Sequence, residues 1–141
     1  AHLIQALEIY RAQFRPSERW PKPHAMAGIG VYAAATEEEA RRLFTSQQQA
    51  FVNLRRGVPG PLPPPSPAAV EGFSPMEQAM IGEALACSFV GTRDTIAASL
   101  ERFVARTGVD EVMVVSAIFD QEARRRSYAL AMEAADAARA A

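Results

Sequence analysis

The sequence lacks most of the features that would identify a function directly. It has one cysteine and two histidines among 141 residues, so an internal disulfide is excluded, and neither histidine has a partner at metal-ligand spacing. The apolar neighbours of Cys87 indicate a small buried hydrophobic residue rather than a nucleophile. No P-loop, nucleophile elbow or paired-carboxylate motif is present. We therefore predict no metal site, and the residues alone name no catalytic acid or base.

Charge and hydropathy argue against two classes of partner. The formal net charge is −1, which gives no general attraction to nucleic acid or to an anionic membrane. No apolar run approaches the length of a membrane span, and no signal peptide is visible. With a single cysteine, these features favour a cytoplasmic protein that binds neither nucleic acid nor membrane.

The stretch 89–119 predicts one βαβ unit. Thr92 can cap a helix whose apolar face includes Ile96 and Leu100. Gly108 suits the left-handed residue that ends such a helix. The apolar run 112–115 does not alternate, which predicts a strand buried on both faces, as in a parallel sheet covered by helices.

Three other helices have clear start signals. Thr36 is followed by Glu39 in a capping-box pattern, Ser74 precedes a proline at the first helical position, and Asp120 can cap a last helix. An earlier strand is predicted at 24–35. The chain is therefore interpreted as a single α/β unit over 1–141, either an open doubly wound sheet or part of a barrel.

Two glycines, Gly28 and Gly30, interrupt the strand predicted at 24–35. The third glycine of a dinucleotide-binding motif is absent, and the next helix begins several residues too late for that motif. Close approach of a neighbouring backbone or layer is the better explanation of the pair.

A proline-rich segment, 58–74, follows the second predicted helix and begins with VPGPLPPPSP. We expect a surface loop that is extended in its first part. The favoured interpretation is a stiff spacer. In the alternative interpretation the chain is a small α/β binding or scaffold protein, which uses this segment to recruit a partner with an aromatic groove.

The chain starts directly in a helical pattern that has no cap before it. Ala1 is followed by apolar residues at helical spacing, including Leu3, Leu7 and Tyr10. A helix without a start signal leads us to expect that the natural sequence begins further upstream.

Two long runs carry a resemblance to a known family. The first goes from ALEIYRAQFRPS through PHAMAGIGVYAAATEEEARRLFTSQQQAFVNLRRGVPGPLPPP, and the second is SFVGTRDTIAASLERFVARTGVDEVMVVSAIFDQEARRRSYAL. On these runs, essentially the whole chain resembles the later part of the bacterial luciferase-like, flavin-dependent monooxygenases. The most specific pieces are RRGVPGPLPPP after a TEEEA helix, and VDEVMVVS followed by Asp120 and RRRSY.

The resemblance implies a (β/α)8 TIM barrel. It also implies reduced FMN, supplied by a flavin reductase, and O₂ as co-reactants that oxidise a small organic substrate. Such a barrel has about 250 residues, so this chain would be its C-terminal part, incomplete and inactive alone. The open sheet edges of an unclosed barrel predict a homo-oligomer.

The resemblance also suggests where site residues lie. In parallel α/β folds, sites form at the carboxyl ends of the strands. Ser116, Phe119 and Asp120 follow the last strand, and the resemblance places them on the substrate and flavin side of the site. It assigns no catalytic acid or base.

Three further residues are candidates at the ends of the other strands. Tyr32 could line the pocket, with a core tyrosine whose hydroxyl is satisfied as the favoured alternative. Gly91 and Thr92 could contact a phosphate at a helix N-terminus. For this pair, a turn and a helix cap are the favoured interpretation.

Overall fold

The computed structural model describes residues 2–140, which form helices around a small sheet. The helices are α1 (His2–Gln13), α2 (Glu37–Arg55), α3 (Pro67–Glu71), α4 (Pro75–Ala84), α5 (Arg93–Thr107) and α6 (Gln121–Ala140). The strands are β1 (Met26–Ala33), β2 (Ser88–Gly91) and β3 (Glu111–Val115). Ala1 lies outside the described residues, so the expectation about an upstream start stays a prediction.

The helix starts follow the cap residues that the sequence contains. Thr92 caps α5 by accepting from the Thr95 N–H, and Gly108 ends that helix at φ 57°, in the left-handed region. Ser74 and Glu77 form a reciprocal capping box at α4. These caps confirm the predicted boundaries, because each depends only on contacts within one turn of helix.

The cap at the start of α2 corrects one detail. Thr36 accepts from the Glu39 N–H at 3.2 Å, as predicted. The Glu39 carboxylate does not reach back to complete a capping box, because it makes two hydrogen bonds of 2.8 Å to the Arg42 guanidinium. The charged Arg42 guanidinium is a stronger hydrogen-bond donor to this carboxylate than the neutral backbone N–H of Thr36 would be.

The three strands form one parallel sheet in the order β2-β1-β3. β2 pairs with the carboxyl half of β1, from Gly30 to Ala33. β3 pairs with the amino half, from Met26 to Gly30. The central strand is therefore the first in sequence, and the βαβ unit predicted at 89–119 crosses over β1 to join strands that are not neighbours.

The helices cover the two faces of the sheet unequally. α5 and α6 pack over the face that carries Ile29, Val31 and Ala33. On the opposite face, α2 covers only the carboxyl end, where Tyr32 packs with Leu43. This arrangement leaves the amino-terminal half of that face open.

The open face corrects the prediction that the last strand is buried on both sides. Met113 and Val115 of β3 are 54% and 53% exposed, beside Met26 of β1 at 52%. Val112 and Val114 are half-buried beneath the helices. The strand is apolar on both faces, but within residues 2–140 only one face has a covering layer.

The proline-rich segment is not a loop throughout. Its second half contains α3, which is capped by Ser66 and has Pro67 at its start. Ser66 supplies the cap and Pro67 the preset φ, so the same local signal that identified α4 was present here. The extended part of the segment therefore ends at Ser66.

Among the described helices, none is both long and apolar enough to cross a lipid bilayer.

Candidate functional site

An open cleft of about 320 Å³ lies on the uncovered face of the sheet. Gly28, Gly30 and Tyr32 of β1 line it, together with Val115 at the end of β3. Ser88 and the end of α4 form its other side. The cleft therefore lies where the central strand contributes glycines in place of side chains.

Tyr32 is both a core residue and part of the cleft wall. It is 3% exposed, and its ring packs against Phe44 at a centroid distance of 4.6 Å. Burial raises the pKa of Tyr32 to about 12, although the backbone amide of Ala117 opposes that rise. Tyr32 thus lies in the core with its hydroxyl kept protonated by burial, and the residue also contributes to the wall of the cleft.

Ser116 supports the end of the sheet instead of facing solvent. It is 3% exposed, and its hydroxyl donates to the Val31 carbonyl at 2.6 Å. Its backbone N–H donates to the Tyr128 hydroxyl at 3.1 Å. Both of these polar groups of Ser116 therefore have partners within the chain. Its contact with flavin or substrate stays a prediction.

Ser127 is a structural residue that the sequence reasoning missed. It is completely buried in α6, and its hydroxyl accepts from the Ala33 N–H at 3.0 Å. β3 stops pairing at Gly30, so Val31 and Ala33 have no strand partner on that side. Ser116 and Ser127 replace the missing strand there.

A signal for Ser127 existed in the sequence. It lies four residues after Ala123 and four before Ala131, both of which are buried. A lone hydroxyl on an apolar helix face must find a partner in the core, because an unpaired buried hydroxyl is costly.

Gly91 and Thr92 form a tight junction with a carboxylate from α2. Glu37 accepts from the Thr92 backbone N–H at 3.1 Å and from the Thr95 hydroxyl. These bonds, the Thr95 bond above all, lower the pKa of Glu37. An internal carboxylate therefore already lies at the N-terminus of α5, where the phosphate contact was predicted.

The backbone of Gly91 is suited to this junction. Its φ is +153°, and a Cβ at this position would lie 2.8 Å from each Glu37 carboxylate oxygen. The position therefore requires glycine for both conformation and space. Turn and cap are the roles that the geometry gives to Gly91 and Thr92, and a ligand contact stays a prediction.

Phe119 and Asp120 lie at the start of α6. Asp120 caps the helix by accepting from the Ala123 N–H at 2.8 Å. Phe119 is 49% exposed beside it. Both residues lie at the carboxyl end of the sheet, as predicted, with Phe119 accessible and Asp120 used as a cap.

The histidine near the start of β1 has carboxylate partners that its spacing did not reveal. His24 Nε2 lies 2.7 Å from a Glu111 carboxylate oxygen, and its Nδ1 lies 4.0 Å from Asp110. Within residues 2–140, no group of three histidine, cysteine or acidic side chains has the geometry of a metal site.

The extended part of the proline-rich segment lies along α2. The Gln49 amide donates to the Pro64 carbonyl at 3.0 Å, and the Ser66 N–H donates to the Thr45 hydroxyl at 2.9 Å. Leu62 and Pro63 are half-buried there. These contacts hold one side of the segment against α2, which agrees with the interpretation of a stiff spacer on the protein surface.

Sequence comparison gives relatives over almost the whole chain. A luciferase-like monooxygenase of Escherichia coli K12 is 46% identical over 131 residues, which are 93% of this chain and 39% of that protein. The uncharacterised protein YvbT of Bacillus subtilis is 42% identical over 128 residues, 91% of this chain and 38% of YvbT. The chain is related to the luciferase-like monooxygenases. No family model matches it.

The fold of this chain is also similar to that of a solved structure. The crystal structure of apo-MsnO8 superposes with a TM-score of 0.74 and 29% identity, covering 95% of this chain and 41% of that one. The chain thus spans about two fifths of the length of these two relatives. This partial match is consistent with the C-terminal part of a luciferase-like protein.

Proposed function

We propose that this chain is part of a flavin-dependent monooxygenase. The whole protein would use reduced FMN, supplied by a flavin reductase, and O₂ to place one oxygen atom in a small organic substrate. The observation that carries the proposal is the 46% identity to a luciferase-like monooxygenase over 93% of the chain. Flavin chemistry is the cofactor's own, while a protein of this kind supplies binding, orientation and exclusion of water.

The uneven cover of the sheet supports a barrel for the whole protein. In a (β/α)8 barrel, helices lie outside and apolar side chains fill the inside. α5 and α6 would lie outside, and the open face with Met26, Met113 and Val115 would point inward. In this proposal β1 and β3 are neighbouring barrel strands, while the four-residue β2 is an addition that pairs only with the carboxyl half of β1.

The N-terminus of α5, where a phosphate contact was predicted, does not by itself fit the phosphate of FMN. A phosphate at a helix N-terminus needs free N–H donors, and Glu37 occupies the Thr92 N–H of α5. A second anion at that place would meet carboxylate repulsion. In this proposal the phosphate is therefore held elsewhere than at the N-terminus of α5, and no catalytic step is assigned to residues of this chain.

A direct test uses a protein that contains this chain in its complete form. Reduced FMN and isotopically labelled O₂ are supplied, and oxygen incorporation into added organic substrates is followed by mass spectrometry. We expect labelled product from the complete protein and none from residues 1–141 alone. A complete protein that neither binds FMN nor consumes reduced flavin productively would refute the proposal.

Two related proposals have separate tests. Because the exposed edge of β3 has no strand partner among residues 2–140, we propose that the isolated chain associates with another copy. Light scattering that gives a stable monomer would contradict this. The scaffold alternative predicts that alanines at the exposed residues Pro61 and Pro64 abolish capture of an aromatic-grooved partner without unfolding, whereas a spacer predicts no partner to lose.

A further inference from the structure

The edge of β1 that faces β2 is paired along only part of its length. The Gly30 N–H donates to the Cys87 carbonyl, and the Ala34 N–H donates to the Gly91 carbonyl. Because the direction of the backbone groups alternates along a strand, the even-numbered residues of β1 direct their N–H and C=O groups to this edge. Pairing with β2 runs from Gly30 to Ala33, so it covers only the carboxyl half of the strand.

Met26 and Gly28 lie on the amino half of the same edge. Ala25 directs its carbonyl the other way, toward the start of β3. His24, the next residue along the edge, hydrogen-bonds the Tyr10 hydroxyl through both its N–H and its C=O, each at 3.2 Å. Among residues 2–140, no strand lies beside Met26 and Gly28 on this edge, and both residues are exposed. Their backbone groups therefore form a short strand edge, between Tyr10 and β2, that can accept another strand.

The position of α1 shows on which side of β1 a strand connected through this helix would lie. Leu7 of α1 packs with Ala25 and Ala27. These side chains share a face of the sheet with Ile29 and Val31, which α5 covers. α5 leads from β2 across β1 to β3, and crossovers between parallel strands are right-handed in about 98% of cases. A parallel strand that reaches β1 through α1, on the same face, therefore lies on the β2 side of β1.

The relatives have the additional chain that this edge requires. The luciferase-like monooxygenase of Escherichia coli K12 is matched over only 39% of its length. Most of such a protein therefore lies outside the part that corresponds to this chain. An amino-terminal part of a luciferase-like protein fits the edge better than a second copy of this chain, because only a preceding strand would be connected to β1 through α1.

From these observations we propose that, in the complete protein, a parallel strand of the amino-terminal part pairs with β1 at Met26 and Gly28. This strand and β2 would divide one edge of β1 between them, with the change of partner between Gly28 and Gly30. The inference rests on the proposed function only for the existence of the amino-terminal part. The side, the direction and the register of the strand come from the sheet and from α1.

The test compares amide hydrogen exchange, followed by NMR, in the isolated chain and in a complete protein that contains it. Ala27 and Ile29, on the edge that pairs with β3, serve as controls and should be protected in both. We expect the Met26 and Gly28 amides to exchange at least about tenfold more slowly in the complete protein than in the isolated chain. Equal exchange of these two amides in both proteins would overturn the inference.

A second NMR measurement separates strand pairing from simple burial. In the complete protein, we expect a scalar coupling across a hydrogen bond from the Gly28 N–H to a backbone carbonyl of the amino-terminal part. A coupling to a carbonyl of β2, or to one from a second copy of the chain, would contradict the proposed pairing. Protection of Met26 and Gly28 that rises with the concentration of the isolated chain, and rises no further in the complete protein, would also contradict it.

A proline substitution gives an independent test. Gly28→Pro removes one N–H from the edge, and the cost of fixing φ is the same in both proteins. The thermal midpoint of the complete protein should therefore fall by at least about 2 °C more than that of the isolated chain. Ala27→Pro, which removes an N–H on the β3 side, should lower the midpoint in both. Equal losses in both proteins for Gly28→Pro would count against the inference.

The outcomes separate this inference from the proposed function. A complete protein that shows the new pairing at Gly28 but incorporates no oxygen would refute the proposed function alone. A complete protein that incorporates oxygen while Met26 and Gly28 exchange as in the isolated chain would refute this inference alone.

Discussion

Ser127 and Ser46 are two completely buried serines in the middle of long helices, and they differ in their hydrogen bonds. The Ser127 hydroxyl accepts from the Ala33 N–H, while the Ser46 hydroxyl has no partner within the part of the chain that the structure describes. Substituting each by alanine removes one oxygen and keeps the Cβ. The gain in helix propensity is similar at both positions, so it cancels when the two variants are compared.

We expect the free energy of unfolding to fall in the Ser127→Ala variant and to stay the same or rise in the Ser46→Ala variant. Ser127→Ala leaves the Ala33 N–H buried and unpaired beyond the end of β3, which costs about 1–3 kcal/mol. Ser46→Ala removes a hydroxyl that loses its water on folding and gains no partner, so it is expected to be neutral or to stabilise the fold. The two variants should therefore differ by roughly 2 kcal/mol or more.

Urea unfolding of the whole chain measures this difference. Far-UV circular dichroism is the better signal, because Trp20 lies in a loop and is 54% exposed. With a slope of about 1–3 kcal/mol/M, the two midpoints should lie on the order of 1 M apart. A Ser46→Ala variant destabilised as much as Ser127→Ala would refute the reasoning, since burial alone and not the hydrogen bond would then decide the cost.

Three further predictions concern substitutions at single positions. The pKa of Tyr32 is raised from 10.0 to about 12 by burial, so stability should fall as pH rises from about 10 to about 12, and less so in Tyr32→Phe. The pKa of Glu77 is lowered from 4.5 to about 2, chiefly by Arg56; stability should fall as pH decreases through that interval, and Glu77→Gln should flatten the decrease in urea midpoint. Gly91→Ala should lower the thermal midpoint far more than Gly28→Ala, because only the first meets neighbours within 4 Å; equal losses would contradict this.

Helix boundaries could be predicted from the sequence because their causes are local. Ser74 and Thr92 each bond a backbone N–H three residues ahead, and Gly108 ends its helix by its own conformation. Such contacts need no information about the rest of the fold. α3 carried the same signal in Ser66 and Pro67, and the run of prolines before it concealed that signal.

The packing of the last helix shows a feature that local sequence patterns do not predict. Ala123 is buried, whereas Tyr128 and Met132 are 38% and 59% exposed. Apolar character alone would make all three residues candidates for the core. Which of these candidates is covered depends on how α6 rotates against β1 and α5, and long-range packing fixes that rotation.

The candidate site likewise has some features that follow from local sequence and others that depend on the tertiary structure. The sequence could place Ser116 and Asp120 because both adjoin a regular element: Ser116 directly follows β3, and Asp120 directly precedes α6. It did not show that Ser116 would bond the Val31 carbonyl or that Glu37 would reach the N-terminus of α5. The second of these contacts joins residues 55 apart in sequence, so no local periodicity could encode it.

By itself the sequence determined the α/β class, the cap residues, the order of most elements and the relationship to luciferase-like proteins, because motifs and short-range hydrogen bonds carry that information. Only the tertiary structure decided that β1 is central, that one sheet face stays open, and that Ser116 and Ser127 complete the edge of β1. Strand order and side-chain pairing across the sheet depend on which distant segments meet, and that is a property of the whole packed chain.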